Sequence, residues 1–397
     1  MVRAALADGK LALSQEQFFV GPHQPADRLW PIPLGANDSS LPEMLTEKSL
    51  DMPYFGAGAL LLNAANTGHF ITLYDDELRG RIMRAILAGE LKPSTKAQYL
   101  NEQLLLMRGG LLPSSALVDL LSAYKNESDQ KVWEIMSLAL GELKKFVDHD
   151  EGAERMLRAF AADLAREQYI RLGWSAAPGE SEQDTKLRAI VISHMLYGED
   201  DDAILQAREL YRANSLEQLN AELRPLIIGA VVRHDPQPHH TVRALLQAYE
   251  NSASAELRSD IASGITATRD LGELKHLIRL LTNTRVIRGQ DTLHWFVDLL
   301  RNRDGRALAW KWLRDNWKWV EKTFASDKSH DYFPRYAASL LMTRQQLAEY
   351  REFFTPLRSD LSLVRAIDMG ILDLEGKLDL IDRDAPGVIA ALSRDFA

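Results

Sequence analysis

The residues of this chain that can do chemistry are few, and their spacing says more than their number. His234, His239 and His240 flank Asp235-Pro236-Gln237-Pro238. Imidazoles gathered beside a carboxylate are ordinary zinc donors. A proline-rich joint carrying exposed imidazoles is nevertheless the preferred reading. A zinc-peptidase helix needs His-Glu-x-x-His, which puts both rings on one face with the glutamate beside a bound water. No histidine here is followed directly by glutamate. The run Glu199-Asp200-Asp201-Asp202 lacks the alternating ligands and central glycine of a calcium loop, and it precedes Ala203-Ile204-Leu205. Helix capping and dipole compensation account for it. Gly56-Ala57-Gly58 has no helix start and lysine behind it to cradle phosphate, and reads as loop. There is no Gly-x-Ser-x-Gly elbow.

One stretch is more suggestive. In Phe333-Pro334-Arg335-Tyr336 an arginine sits among aromatic residues, where its planar fork can take a peptide carboxylate bidentately. Arg335 and Tyr336 are therefore the candidate substrate-binding residues. The competing reading has Arg335 stapling adjacent helices through a buried acid, and it is favoured over the first. No catalytic residue and no metal ligand is assigned.

Composition narrows the classes. The chain has 397 residues, 46% hydrophobic and 26% charged, with a formal net charge of −9. That is an ordinary globular composition, longer than one small domain. No basic stripe is present to neutralise phosphates, so nucleic acid is not an expected partner. Apolar runs such as Gly58-Ala59-Leu60-Leu61-Leu62 are far shorter than a membrane span, so no membrane association is expected. Cysteine is absent, which excludes disulfide frameworks, thiolate zinc sites and cysteine nucleophiles. Met1 to Lys10 is mixed and polar, unlike a signal peptide, and a cytoplasmic location is expected. The start reads like a segment cut from something longer.

Two grammars divide the chain at about residue 74. Before it, Asp8-Gly9 marks a hairpin pairing residues 2–5 with 10–14. Trp30-Pro31-Ile32-Pro33-Leu34, with two prolines, suits an edge strand. Leu60–Asn63 and His69–Leu73 are expected to pair around Asn66-Thr67-Gly68. The sum is a small β-sandwich over 1–74, cut at its start.

From residue 75 to 397 the period is helical. Trp133, Met136, Leu140, Leu143 and Val147 fall on one helix face, as do Leu274, Leu277, Ile278 and Leu281. Breakers such as Pro93-Ser94, Asp148-His149-Asp150, Gly198, Pro236/Pro238 and Ser252-Ala253-Ser254 recur, and many supply the next N-cap. About sixteen helices with short joints are expected, antiparallel to their neighbours. Without a strict repeat, a mainly α, HEAT/armadillo-like solenoid (an α-α superhelix) fits better than tetratricopeptide or ankyrin arrays. Ala307–Phe324 is expected to be one helix, buried on both faces. Its Trp310/Trp317 and Trp312/Trp319 rows point to nearly opposite sides.

Several segments then resemble a known family. Leu13-Ser14-Gln15-Glu16-Gln17-Phe18 and Leu29-Trp30-Pro31-Ile32-Pro33-Leu34 look like the third, β-sandwich domain of aminopeptidase N family zinc metallopeptidases. Leu61-Leu62-Asn63 and Gly68 through Tyr74-Asp75 look like its crossing into the helical domain. Leu172-Gly173-Trp174, Glu182, Leu187-Arg188 and Leu223-Arg224-Pro225 follow in order. Ile287-Arg288-Gly289-Gln290-Asp291, and Leu308-Ala309-Trp310-Lys311-Trp312 through Asn316-Trp317, are the most specific pieces. The resemblance runs from about residue 10 to 395 and extends to the C-terminal domains of endoplasmic reticulum aminopeptidases and tricorn-interacting factors. Two features depart from the family. Gly68-His69-Phe70-Ile71-Thr72-Leu73-Tyr74-Asp75 lacks the arginine of the usual Gly-Phe-Tyr-Arg-Val-x-Tyr-Asp, and the zinc and Gly-Ala-Met-Glu-Asn motifs are missing.

The resemblance implies a non-catalytic C-terminal fragment of a bacterial-type zinc aminopeptidase. It would form the wall and lid of a chamber that limits and positions peptides for N-terminal residue removal. Zinc would sit in the catalytic domain of the same polypeptide, and this chain would hold none and be inactive alone. Its partners would be that domain and peptide substrates. The alternatives are a free-standing helical scaffold that binds a protein partner, or an enzyme with an unrecognised site in the helical bowl.

Overall fold

A computed structural model describes residues 1–20, 26, 28–324 and 329–396. Among them are six strands, seventeen α-helices and two 3-10 turns. The chain forms two compact units. One comprises Met1–Arg171, Ala177–Ile190 and Leu380–Ala397, and the other Leu172–Ala176 and Val191–Asp379.

The first unit opens with β1 (Val2–Ala7) and β2 (Lys10–Gln15), antiparallel from Val2↔Gln15 to Ala7↔Lys10. Asp8 and Gly9 both take positive φ, 49° and 72°, as a two-residue hairpin turn requires. Val2, Ala4, Leu11 and Leu13 alternate into the core. The short pair β3 (Ile32–Pro33) and β4 (Met44–Leu45) makes a ladder of its own, while β5 (Ser49–Pro53) joins β2. β6 (Thr72–Tyr74) runs parallel to β1, giving a four-stranded sheet in the order β5-β2-β1-β6. Gln15 ties the sheet to the proline segment: its amide accepts from Trp30 N and donates to Trp30 O, each at 2.9 Å.

The expected pairing of Leu60–Asn63 with His69–Leu73 does not form. Asn63 turns the chain with φ 52°, and its side chain bonds both the N–H and the carbonyl of Gly68 at 2.8 Å. A side-chain amide therefore closes the loop where a ladder was expected, and Thr72–Tyr74 pairs with β1.

Helices α1 (Asp76–Leu87), α2 (Pro93–Arg108), α3 (Ala116–Ala123), α4 (Gln130–Val147) and α5 (Glu151–Leu172) follow. Asp75 caps α1 through Leu78 N at 2.9 Å, while its other oxygen takes Leu6 N at 2.6 Å, joining helix start to hairpin. Asp129 caps α4, and the Trp133–Val147 face is wholly buried. Helix α6 (Glu182–Tyr197) is divided between the two units, as is α17 (Leu361–Phe396), which contains Pro386 in its interior.

The second unit holds α7 (Asp201–Ala213), α8 (Arg224–Arg233), α9 (Pro238–Asn251), α10 (Ala255–Ile265), α11 (Leu271–Leu280) and α12 (Gly289–Arg301). It continues with α13 (Arg306–Asp315), α14 (Trp317–Phe324), α15 (Tyr332–Leu340) and α16 (Arg344–Phe354). Here α8 touches α10 and α10 touches α12, while α9 touches α11 and α11 touches α13. Caps come from Asp200, Ser254, Asp270 and, as a full capping box, Thr343 with Gln346. Pro238 starts α9 at a position where no N–H is needed.

Ala307–Phe324 is two helices, not one. Asn316 ends α13, its side-chain amide donating to Trp312 O at 2.9 Å, and its own carbonyl accepts from Trp319 and Val320 to start α14. Trp310, Trp312 and Trp317 are buried and Trp319 is half-buried. The short polar side chain satisfies the helix end locally, and the tryptophan rows then need not share one axis.

Candidate functional site

Arg335 and Tyr336 lie on α15, which follows a 3-10 turn at Ser329–Asp331. Phe333, Pro334, Ala337 and Ala338 form the buried face, and Tyr350 anchors it by donating its hydroxyl to Pro334 O at 3.1 Å. That burial leaves Tyr332, Arg335 and Tyr336 towards solvent. Arg335 donates to Asp331 at 2.7 Å and lies 5.6 Å from the Tyr332 ring centre. Tyr332 and Tyr336 rings are 6.4 Å apart.

The partner acid thus lies one turn back along the same stretch of chain, so Arg335 is not the staple between adjacent helices that was favoured from sequence. Its side chain is 49% exposed. An exposed i,i+4 pair of this kind contributes only about 0.3–0.5 kcal/mol, so an incoming carboxylate can compete for the guanidinium at small cost. Tyr332 and Tyr336 beside it offer apolar area with little conformational freedom to lose. Sequence reading passed over Asp331 and Tyr332, although their i,i+4 relation to Arg335 and Tyr336 was the available signal.

The other candidates settle into structural roles. His239 meets Glu273 at 2.9 Å and stacks edge-on beside His240, with ring centres 5.8 Å apart. Burial pushes the His234 imidazole down to about 4, against the pull of Glu199. Among the described residues no group of three or more His, Asp or Glu side chains could hold a metal ion. Asp200 caps α7 through Ala203 N at 3.1 Å, with Asp201 and Asp202 in the first turn, and Glu199 pairs with Arg269. Gly56-Ala57-Gly58 is loop. No helix among the described residues is long and apolar enough to cross a membrane.

Comparison with known proteins places these observations. The family described as "ERAP1-like C-terminal domain" matches residues 59–375. The chain is 31% identical over 395 residues to "Aminopeptidase N" of Lactobacillus helveticus, covering 98% of this chain and 46% of that protein. It is 33% identical over 401 residues to "Aminopeptidase N" of Lactobacillus delbrueckii subsp. lactis, covering 99% and 47%. A plant relative, "Aminopeptidase M1-B" of Oryza sativa subsp. japonica, is 27% identical over 301 residues, covering 74% and 34%. The chain spans about half the length of the bacterial relatives it matches. It belongs to the ERAP1-like C-terminal domain family, as a C-terminal region of an aminopeptidase N family protein.

Proposed function

We propose that this chain is the non-catalytic part of a zinc aminopeptidase. It forms the chamber wall and lid that limits and positions peptides while a catalytic domain of the same polypeptide removes the N-terminal residue. The observation that carries this reading is that nearly all of the chain matches less than half of proteins named Aminopeptidase N. In this reading the zinc belongs to the catalytic domain, and the protein works in the cytoplasm. Residues 1–74 are the end of a β-sandwich domain, and residues 75–397 form a curved helical solenoid. The alternation of helix contacts from α8 to α13 supports such stacking. Arg335 and Tyr336 hold the distal part of a peptide, so binding energy remote from the scissile bond tunes length preference. Opening and closing against the catalytic domain gates entry.

The 397-residue chain alone should hydrolyse no aminoacyl-anilide and retain no stoichiometric zinc; either activity or bound zinc overturns the division of labour. In the full-length enzyme, Arg335→Ala and Tyr336→Ala should raise KM for longer peptides and leave aminoacyl-anilide turnover unchanged. Small-angle scattering from the chain tests the curved solenoid, which a compact globular profile would exclude.

A further inference from the structure

Four arginines are buried among the described residues: Arg188, Arg224, Arg258 and Arg306. Three have partners. Arg188 grips Glu180, Arg224 pairs with Asp260 at 2.7 Å, and Arg306 donates to Leu300 O. Arg258 differs. It is 8% exposed, and although Arg224 shares its unpartnered Nε, Arg258 alone of the four has no acid or carbonyl partner among the described residues. It sits one turn into α10, on the wall of a cavity of about 230 Å³ whose other wall includes Gln290, Asp291 and His294 of α12.

A guanidinium does not shed its proton in a protein, so burial without an anion leaves its desolvation cost uncompensated. Asp291 lines the same cavity and has no cationic partner among the described residues. One of its oxygens accepts from the Tyr249 hydroxyl at 3.1 Å. Burial raises the Tyr249 phenol to about 12, which keeps it a donor at neutral pH. The cavity therefore carries a buried cation with no acid partner and a half-buried anion with no cationic partner among the described residues, and the two do not pair with each other. A small zwitterion whose ammonium and carboxylate flank a single carbon answers both needs. The volume is below the range of drug-sized sites, which calls for a small ligand.

We propose that this cavity binds a free α-amino acid, its carboxylate held by Arg258 and its ammonium by Asp291. The arrangement stands on these side chains and is independent of the role proposed above.

The test is calorimetric titration of the 397-residue chain with L-alanine, L-leucine, N-acetyl-L-alanine and methylammonium. The free amino acids should bind saturably, and methylammonium should not bind. N-acetyl-L-alanine, which has the carboxylate of a peptide end and no ammonium, should bind more weakly. Arg258→Met should weaken amino-acid binding about 10- to 100-fold, the loss of one charge-assisted contact. Asp291→Asn should weaken amino-acid binding and leave N-acetyl-L-alanine unchanged. Because Arg258→Met removes an uncompensated buried charge, its unliganded Tm should match or exceed that of the parent chain, which separates lost binding from lost folding. No binding of either amino acid, binding unaffected by Arg258→Met, or tighter binding of the acetylated compound would each overturn the proposal.

Discussion

Asp384 Oδ2 accepts hydrogen bonds from both the N–H and the hydroxyl of Ser114, at 2.9 and 2.5 Å, across 270 residues of chain. The contact joins the C-terminal part of α17 to the approach of α3 within the first unit, and both residues are buried. Burial pushes the Asp384 carboxyl up, but the Arg383 and Ser114 bonds outweigh it and hold it below its usual value of 3.8. A depressed carboxyl stabilises the fold above its unfolded pKa, and that contribution is lost as pH falls through the folded value. Asp384→Asn should cost about 1–3 kcal/mol at neutral pH and flatten the loss of stability below about pH 4. Urea unfolding across pH measures both; an unchanged acid limb would refute the assignment.

A second prediction concerns close helix approach. A Cβ on Gly264 of α10 would lie 2.4 Å from Ile228 Cγ2 and 3.1 Å from Gly229 N of α8. Gly264→Ala should therefore destabilise by roughly 1–3 kcal/mol in spite of alanine's helix preference. Gly141, exposed on α4 with nothing within 4 Å, is the control. Gly141→Ala should be stabilising by up to about 1 kcal/mol.

Trp310 separates packing from hydrogen bonding. It is 1% exposed, stacks on Tyr350 at 6.1 Å and 16°, and donates Nε1 to Glu349 at 2.8 Å. Trp310→Ala should cost about 3–5 kcal/mol through the cavity left behind. Trp310→Phe keeps most of the ring and loses the bond, for a smaller cost of about 1–3 kcal/mol. Equal losses would mean that the indole nitrogen, not the ring, carries the contribution.

Glu180 and Arg188 predict an acid transition of their own. The bidentate Arg188 contact pulls the Glu180 carboxyl down to about 2, with Ala177 N and Thr185 adding donors. A folded-state pKa this far below the usual 4.5 means that its stabilisation persists above 4.5 and fades as pH falls towards 2. Side-chain NMR should find Glu180 titrating well below the other glutamates, and Arg188→Met should return it to the ordinary range.

What could be read from the chain alone were features whose physics is local. The Asp8-Gly9 turn, the buried faces of α4 and α11, and the caps at Asp200 and Ser254 depend on residues a few positions apart. A helix face or a two-residue turn has no distant partner to choose. The family resemblance was readable for a related reason, since packing tryptophans, glycines and prolines keep their order along the sequence. The aromatic-basic cluster on α15 was half readable: Arg335 and Tyr336 stood out, but their i,i+4 partners Asp331 and Tyr332 did not.

Tertiary structure alone decided the pairings between distant segments. Leu60–Asn63 does not pair with His69–Leu73 because Asn37 and Leu34 take the Leu61 and Asn63 backbone groups, and Thr72–Tyr74 pairs with β1. Whether α13 would continue through Asn316 depended on a side chain choosing the helix end over solvent. No spacing rule shows that Asp384 finds Ser114 while Arg258 finds no acid. Apolar periodicity fixes which face of a helix turns inward, and it carries no record of which charges that inward turn leaves side by side.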